Sequence, residues 1–179
     1  MLKSLCIFCG SGVGKDISFQ NAAIEMGEYL AANEITFVYG GGRIGLMGII
    51  ADTVLRNGGK AIGIIPRFLS TKEIKHDGLT ECYEVDDMHT RKQMMYQLSD
   101  AFIAMPGGFG TLDELFEIVT WHQLLLHTKP IAIYNVAGYF TPLLEMIDTM
   151  RQQNFISENH TQYLKHANTL SEVISMLDR

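Results

Sequence analysis

The sequence predicts an α/β fold, one doubly wound parallel sheet with helices on both faces. Three observations lead there. Apolar runs of strand length alternate with amphipathic helical stretches along the whole chain. The links between them are short, as suits parallel strands returned by covering helices. Three glycine-rich loops each follow an apolar run, where such sheets carry their ligand loops, beyond the carboxyl ends of the strands.

In chain order, Leu2 to Phe8 reads as the first strand and Ser18 to Ala32 as a helix closed by Asn33. Ile35 to Tyr39 is a second strand. Ile44 to Arg56 is a helix stopped by Asn57-Gly58-Gly59, a sequence suited to a left-handed C-terminal turn. Lys60 to Ile65 is a strand ended by Pro66, and Arg67 to Thr80 an irregular connection. Glu81 to Val85, Ala101 to Met105 and Pro130 to Asn135 are further strands. Met88 to Leu98, Thr111 to Leu126, Phe140 to Gln153 and Ser171 to Leu177 are helices. No repeat or low-complexity linker interrupts the pattern, so residues 1–179 read as a single domain.

Apolar residues make up 47% of the 179, enough for a full core. A net charge of −6 removes the basic field a general nucleic-acid binder needs, though a local donor cluster can still hold a small anion. No apolar stretch approaches the ~20 residues of a membrane span, and Met1-Leu2-Lys3-Ser4 opens no signal-peptide pattern. The three cysteines, Cys6, Cys9 and Cys82, are an odd set that reads as reduced thiols of a cytoplasmic protein. Cys6-x-x-Cys9 lies on an apolar run with no second ligand pair, so both are expected to be ordinary strand cysteines. The six histidines are scattered without ligand spacing, and neither metal nor cofactor is expected.

The glycine loops are Gly10-Ser11-Gly12-Val13-Gly14, Gly40-Gly41-Gly42-Arg43-Ile44-Gly45 and Pro106-Gly107-Gly108-Phe109-Gly110-Thr111. Glycine lets backbone approach an anion, and a following helix adds free N–H donors and a favourable dipole. The spacing is neither G-x-G-x-x-G nor the P-loop, which excludes simple NAD and ATP readings. Three such loops on one sheet edge point to phosphate or ribose binding.

Thr111-Leu112-Asp113-Glu114 fits a capping box, in which Glu114 only closes a helix start. The same Glu114 stands one turn from a phosphate-type loop, where a carboxylate can activate water or stabilise a cationic sugar. Both readings stand on this segment alone. Glu117, a turn later, reads as a solvated or paired surface charge. Asp86 and Asp87 can cap the helix that carries Arg91 and Lys92. Cations so early in a helix are disfavoured by its dipole and hint at an anionic partner, unless they merely answer Asp86 and Asp87. His89 reads as structural. Met94, Met95 and Leu98, and Trp121, Leu124 and Leu125, read as core stripes.

Pro106 to Glu114, Met88 to Lys92 and Gly40 to Gly48 resemble the P-G-G-x-G-T-x-x-E, M-H-x-R-K and glycine-loop signatures of the Lonely Guy type of cytokinin riboside 5'-monophosphate phosphoribohydrolases. The resemblance runs from about Leu5 to about Tyr139. It implies a Rossmann-like fold, a homodimer or higher assembly, and release of a free N6-modified adenine and ribose 5-phosphate from a nucleoside 5'-monophosphate. Carried over by position, Arg91 and Glu114 are the catalytic pair. Gly107, Gly108, Gly110 and Thr111 form the phosphate loop, with Gly41 and Gly42 beside it. Lys92, Glu73 and Thr120 match further substrate contacts. A broader AMP nucleosidase and a non-catalytic nucleotide carrier are the competing readings. A lysine decarboxylase label, often given to similar proteins, gains little support, because Lys60, Lys129 and Lys165 sit in no convincing cofactor setting.

Overall fold

Alternate residues of each strand divide the core into two layers, one on each face of a single sheet. The computed structural model describes residues 2–70, 75–157 and 162–177. Its strands are β1 (Ser4–Phe8), β2 (Thr36–Tyr39), β3 (Ala61–Pro66), β4 (Glu81–Val85), β5 (Ala101–Ala104), β6 (Ile131–Tyr134) and β7 (Leu164–Ala167). They pair in the order β4-β3-β2-β1-β5-β6-β7, every pair parallel. The helices are α1 (Ile17–Ala32), α2 (Gly45–Arg56), the short α3 (Arg67–Ser70), α4 (Met88–Gln97), α5 (Phe109–Gln123), α6 (Thr141–Gln152) and α7 (Leu170–Ser175).

Leu5, Ile7, Phe37 and Tyr39 face α1, α2 and α7, where Met26, Leu30, Ile50 and Val173 complete one layer. Cys6, Phe8, Val38, Phe102 and Ile133 face the other way, onto Met95 of α4 and Leu115 and Ile118 of α5. The period of two along each strand requires this split. Fully burying one such side chain contributes about 1.5–3 kcal/mol, so these layers fix the sheet that positions the loops.

The doubly wound expectation holds, as does a buried setting for Cys6 and Cys9. Three expectations need correction. A seventh strand, β7, lies where none was predicted; Leu164-Lys165-His166-Ala167 forms an edge strand with an exposed, polar middle, so it carries no apolar run to announce it. Part of the irregular connection is the short helix α3. Leu124 and Leu125 are not core: α5 stops at Gln123, Leu125 turns into the left-handed region (φ 60°), and the two side chains are 63% and 79% exposed. Met95 is core, with Met94, Leu98 and Trp121 packed against it. No helix among the described residues is long and apolar enough to cross a membrane.

Candidate active site

The strand order places the switch point between β1 and β5. From β1 the chain runs outward through β2, β3 and β4, then returns to lay β5 on the other side of β1. Loops leaving such a pair diverge and open a crevice. Here they also interlock. Gly10 N donates to Pro106 O at 3.0 Å, and Met105 N to Phe8 O at 2.9 Å. A Cβ on Gly107 would collide with Thr111 Oγ1 and stand 2.7 Å from Gly10 N, so only glycine allows this approach. The Tyr139 hydroxyl donates to the Gly107 carbonyl at 2.6 Å. A cleft of about 310 Å³ lies between Gly10–Gly14 and Gly107–Gly108, walled by Phe19 and Tyr139, whose rings meet edge to face.

Helix α5 begins at Phe109, two residues earlier than predicted, with extended Gly108 at the cap and no side-chain cap bond. Thr111 is therefore a buried first-turn residue, and the predicted capping box does not form. Glycine is an acceptable cap because it leaves the backbone uncovered. The amides of Phe109, Gly110 and Thr111 have no intrahelical acceptor and sit at the positive end of the helix dipole. Phe109 itself is 91% exposed beside them.

The second glycine loop is employed differently. Leu46 N, at the start of α2, donates to Gly10 O at 3.0 Å and to Gly12 O at 3.3 Å, so the first loop already occupies that helix end. Gly41 adopts φ +79°, and its carbonyl accepts from His76 N at 3.1 Å. Gly42 forms an isolated antiparallel bridge with Lys75. Gly41 and Gly42, expected beside the phosphate, are thus drawn into ties to residues 75 and 76. His76 is held in turn: its Nδ1 accepts from Gly78 N at 3.1 Å and its Nε2 faces Asp52 at 3.0 Å.

Asp87 caps α4 as expected, accepting from Thr90 N at 2.8 Å, and that hydrogen bond holds its carboxyl below the usual range. Arg91, one turn in, is buried, not a surface charge answering Asp86 or Asp87. Its Nη2 lies 3.8 Å from Glu114 Oε1, with the two side chains only 7% and 13% exposed. Chain positions 91 and 114 thus converge below the glycine loops. Lys92 bridges to Asp113 at 3.1 Å and Glu117 at 3.0 Å, tying α4 to α5. Burial works against its charge, but the hydrogen bonds it donates to Glu117 and Asp113 prevail and hold its pKa above the ordinary lysine value. Glu117 is a paired charge, as the sequence suggested.

Burial pushes the Cys9 thiol up, and the charge of Glu114 pushes it further. The same two causes, in the same order, raise Cys6. Neither sulfur is a ready nucleophile. The expected contact Thr120 is not brought to this cluster; it lies on the exposed side of α5, its hydroxyl donating to Phe116 O at 2.7 Å. Glu73 falls outside the described residues. His89 is exposed. Lys129 lies over the Tyr96 ring and donates to Tyr96 O at 2.7 Å, and Lys165 reaches the Met176 carbonyl, so neither lines the cleft. Among the described residues no group of three or more His, Cys, Asp and Glu is placed to hold a metal ion.

Sequence reasoning missed Phe19 and Tyr139 as walls of the cleft and Asp113 as a partner of Lys92. Phe19 and Asp113 look like ordinary helix residues.

Residues 47–177 match a protein family described as "Possible lysine decarboxylase". The chain is 45% identical over 176 residues to the cytokinin riboside 5'-monophosphate phosphoribohydrolase LOG1 of Arabidopsis thaliana, covering 98% of this chain and 83% of that protein. It is likewise 45% identical to a probable enzyme of the same name, LOGL2, from Oryza sativa subsp. japonica, covering 98% of this chain and 72% of the other. Among solved structures, the molybdenum cofactor binding protein of Rippkaea orientalis superposes with a TM-score of 0.71 at 19% identity, covering 98% of this chain and 94% of that one. The molybdenum cofactor carrier protein of Chlamydomonas reinhardtii gives 0.71 at 15%, covering 98% and 95%. At those identities the structural likeness speaks for the fold alone.

Proposed function

The chain belongs to the cytokinin riboside 5'-monophosphate phosphoribohydrolase family, and we propose that it hydrolyses the N-glycosidic bond of an N6-modified adenosine 5'-monophosphate, releasing the free base and ribose 5-phosphate. The observation that carries the site assignment is the buried Arg91–Glu114 pair at the switch point, beside a helix start whose amides are open to an anion.

In this reading the 5'-phosphate docks on the amides of Gly108, Phe109, Gly110 and Thr111, with Gly107 shaping the turn. The phosphate is remote from the reacting bond, so its binding energy serves to hold C1' in place. Breaking the bond develops positive charge on the ribose ring and negative charge on the purine. The Glu114 carboxylate stabilises the first and takes a proton from the attacking water, whose oxygen bonds to C1'; the purine leaves with the electrons of the broken C–N bond and takes up a proton to become the neutral free base. Arg91 offsets negative charge on the nucleotide and holds Glu114 in its buried place. The 3.8 Å separation is an ion pair and too long for a hydrogen bond. Lys92, engaged by Asp113 and Glu117, sets the spacing of α4 and α5 beneath the pair.

The chain works in the cytoplasm as a homodimer in this reading. Leu124, Leu125, Leu126, Met146 and Phe155 are all more than half exposed, apolar surface that a second copy would cover. Thr120 lies near that face, against a groove lined by Phe116, Leu144 and Ile156, and would meet substrate only with a partner in place. Sedimentation of wild type and of Leu125→Glu tests it: dimer for the first, monomer for the second.

Incubation with isopentenyladenosine monophosphate, AMP and isopentenyladenosine separates the readings. Free base from the first, faster than from AMP, supports the proposal. Equal release from AMP makes the protein a general AMP nucleosidase. Binding without release of base makes it a carrier.

A further inference from the structure

We propose that Gly40 is a positioning residue: the space left by its missing side chain seats the Arg91 guanidinium and aims it at Glu114. The inference rests on Arg91 and Glu114 being the reactive pair.

Gly40 follows β2 at the carboxyl edge of the sheet, next to β1. Glycine is not demanded there by backbone conformation. Its neighbour Gly41 has φ +79°, whereas Gly40 is outside the left-handed region and any L-residue could adopt its geometry. What demands glycine is Arg91. A Cβ built on Gly40 would fall on Arg91 Nη2, within 3.0 Å of Cζ and 3.5 Å of Nε, so its three nearest neighbours all belong to this one guanidinium. The guanidinium presents its Nη2 end to bare backbone.

The seat matters because little else fixes the arginine. A guanidinium offers five N–H donors. Here Nη1 reaches only the Met88 sulfur at 3.7 Å, Nη2 stands 3.8 Å from Glu114, and buried Nε meets no hydrogen-bond acceptor among the described residues. Buried arginines are ordinarily held by forked hydrogen bonds. Among the described residues this one is placed more by shape than by hydrogen bonds, as suits a cation that must engage substrate oxygens. Gly40 is not part of the cleft lining, and the three atoms nearest its missing Cβ all belong to Arg91, so its influence is expected to run through that side chain.

The test is Gly40→Ala alone and combined with Arg91→Ala and Arg91→Lys. Gly40→Ala is expected to fold with a melting temperature near wild type, since the atoms nearest the new methyl are the end of a flexible side chain. Its kcat should fall roughly a hundredfold, the loss typical of a misplaced charge-stabilising group, with a smaller change in KM. In the Arg91→Ala background the same methyl should change nothing further, because coupled residues are not additive. Arg91→Lys, with a narrower head, should be less sensitive to the methyl than wild type. Additive losses from Gly40→Ala and Arg91→Ala would overturn the proposal. So would a crystal structure of Gly40→Ala with the guanidinium unmoved, and that structure decides the matter even if the variant is unstable or inactive. If wild type released no base while the crystal structure showed the arginine displaced, the reaction would be wrong and the seat right.

Discussion

Arg91 and Glu114 face each other at 3.8 Å in a nearly dry setting, yet they come from different helices on opposite sides of β5 in the chain. A buried ion pair of this kind is weak evidence for stability, since desolvating both charges offsets much of their attraction. Its retention is better explained by chemistry than by folding. Glu114→Gln preserves volume and, since no capping box forms, removes no helix cap. We expect it to fold and to lose roughly 10²–10³ in kcat, the scale of removing one preorganised electrostatic group. Base release by this variant at the wild-type rate would remove Glu114 from the reaction.

Tyr139 holds the carbonyl of Gly107 from outside the loop. Tyr139→Phe deletes one neutral hydrogen bond, worth about 1 kcal/mol. If the loop grips the phosphate, KM for the nucleotide should rise roughly fivefold with kcat almost unchanged, the ratio that 1 kcal/mol implies. A fall in kcat at constant KM would place the loop at the reacting bond instead.

Lys92 reports on how the two helices are joined. Lys92→Met keeps the aliphatic stem but leaves partly buried Glu117 without its cation. Thermal or denaturant unfolding should show a loss of about 1–3 kcal/mol, the usual penalty for stranding a charged hydrogen-bonding group. A direct phosphate contact by Lys92 would show differently, as a KM increase with no loss of stability.

His127 gives a pH prediction. Its neutral ring is fully used: Nε2–H donates to Ile118 O at 2.9 Å, and Nδ1 accepts from Lys129 N at 3.1 Å. Burial holds its pKa below the ordinary 6.5. Below that value the unfolded chain takes up a proton that the folded chain refuses, so stability falls as pH drops from 6.5 toward the depressed folded value. An NMR titration should find the His127 ring protonating below pH 6.5. A value above it would contradict the burial argument.

The sheet was legible because its inner strands are unbroken apolar runs, as in Leu5-Cys6-Ile7-Phe8 and Ala101-Phe102-Ile103-Ala104. β7 was not, since an edge strand can keep Lys165 and His166 in water. The start of α5 was misread because Thr111-x-x-Glu114 has the letters of a capping box, whereas the backbone uses a glycine cap two residues earlier. Local sequence also could not reveal which face of α5 bears Glu114 or which way Leu124 and Leu125 turn, because both depend on where that helix begins and ends. Gly40 looked like one glycine among several; its meaning lies in a side chain distant in the sequence.

The bond from Gly10 to Pro106 joins residues separated by more than half the chain. The first loop can therefore be synthesised, and β1 to β4 can collapse, long before anything exists that could recognise a nucleotide. If the nucleotide binds where proposed, recognition arises only when β5 is inserted beside β1, past the midpoint of translation. A ribosome-bound or truncated product ending before that strand would be partly folded yet blind to its ligand, so added nucleotide would stabilise the finished protein and do nothing to rescue an unfinished one.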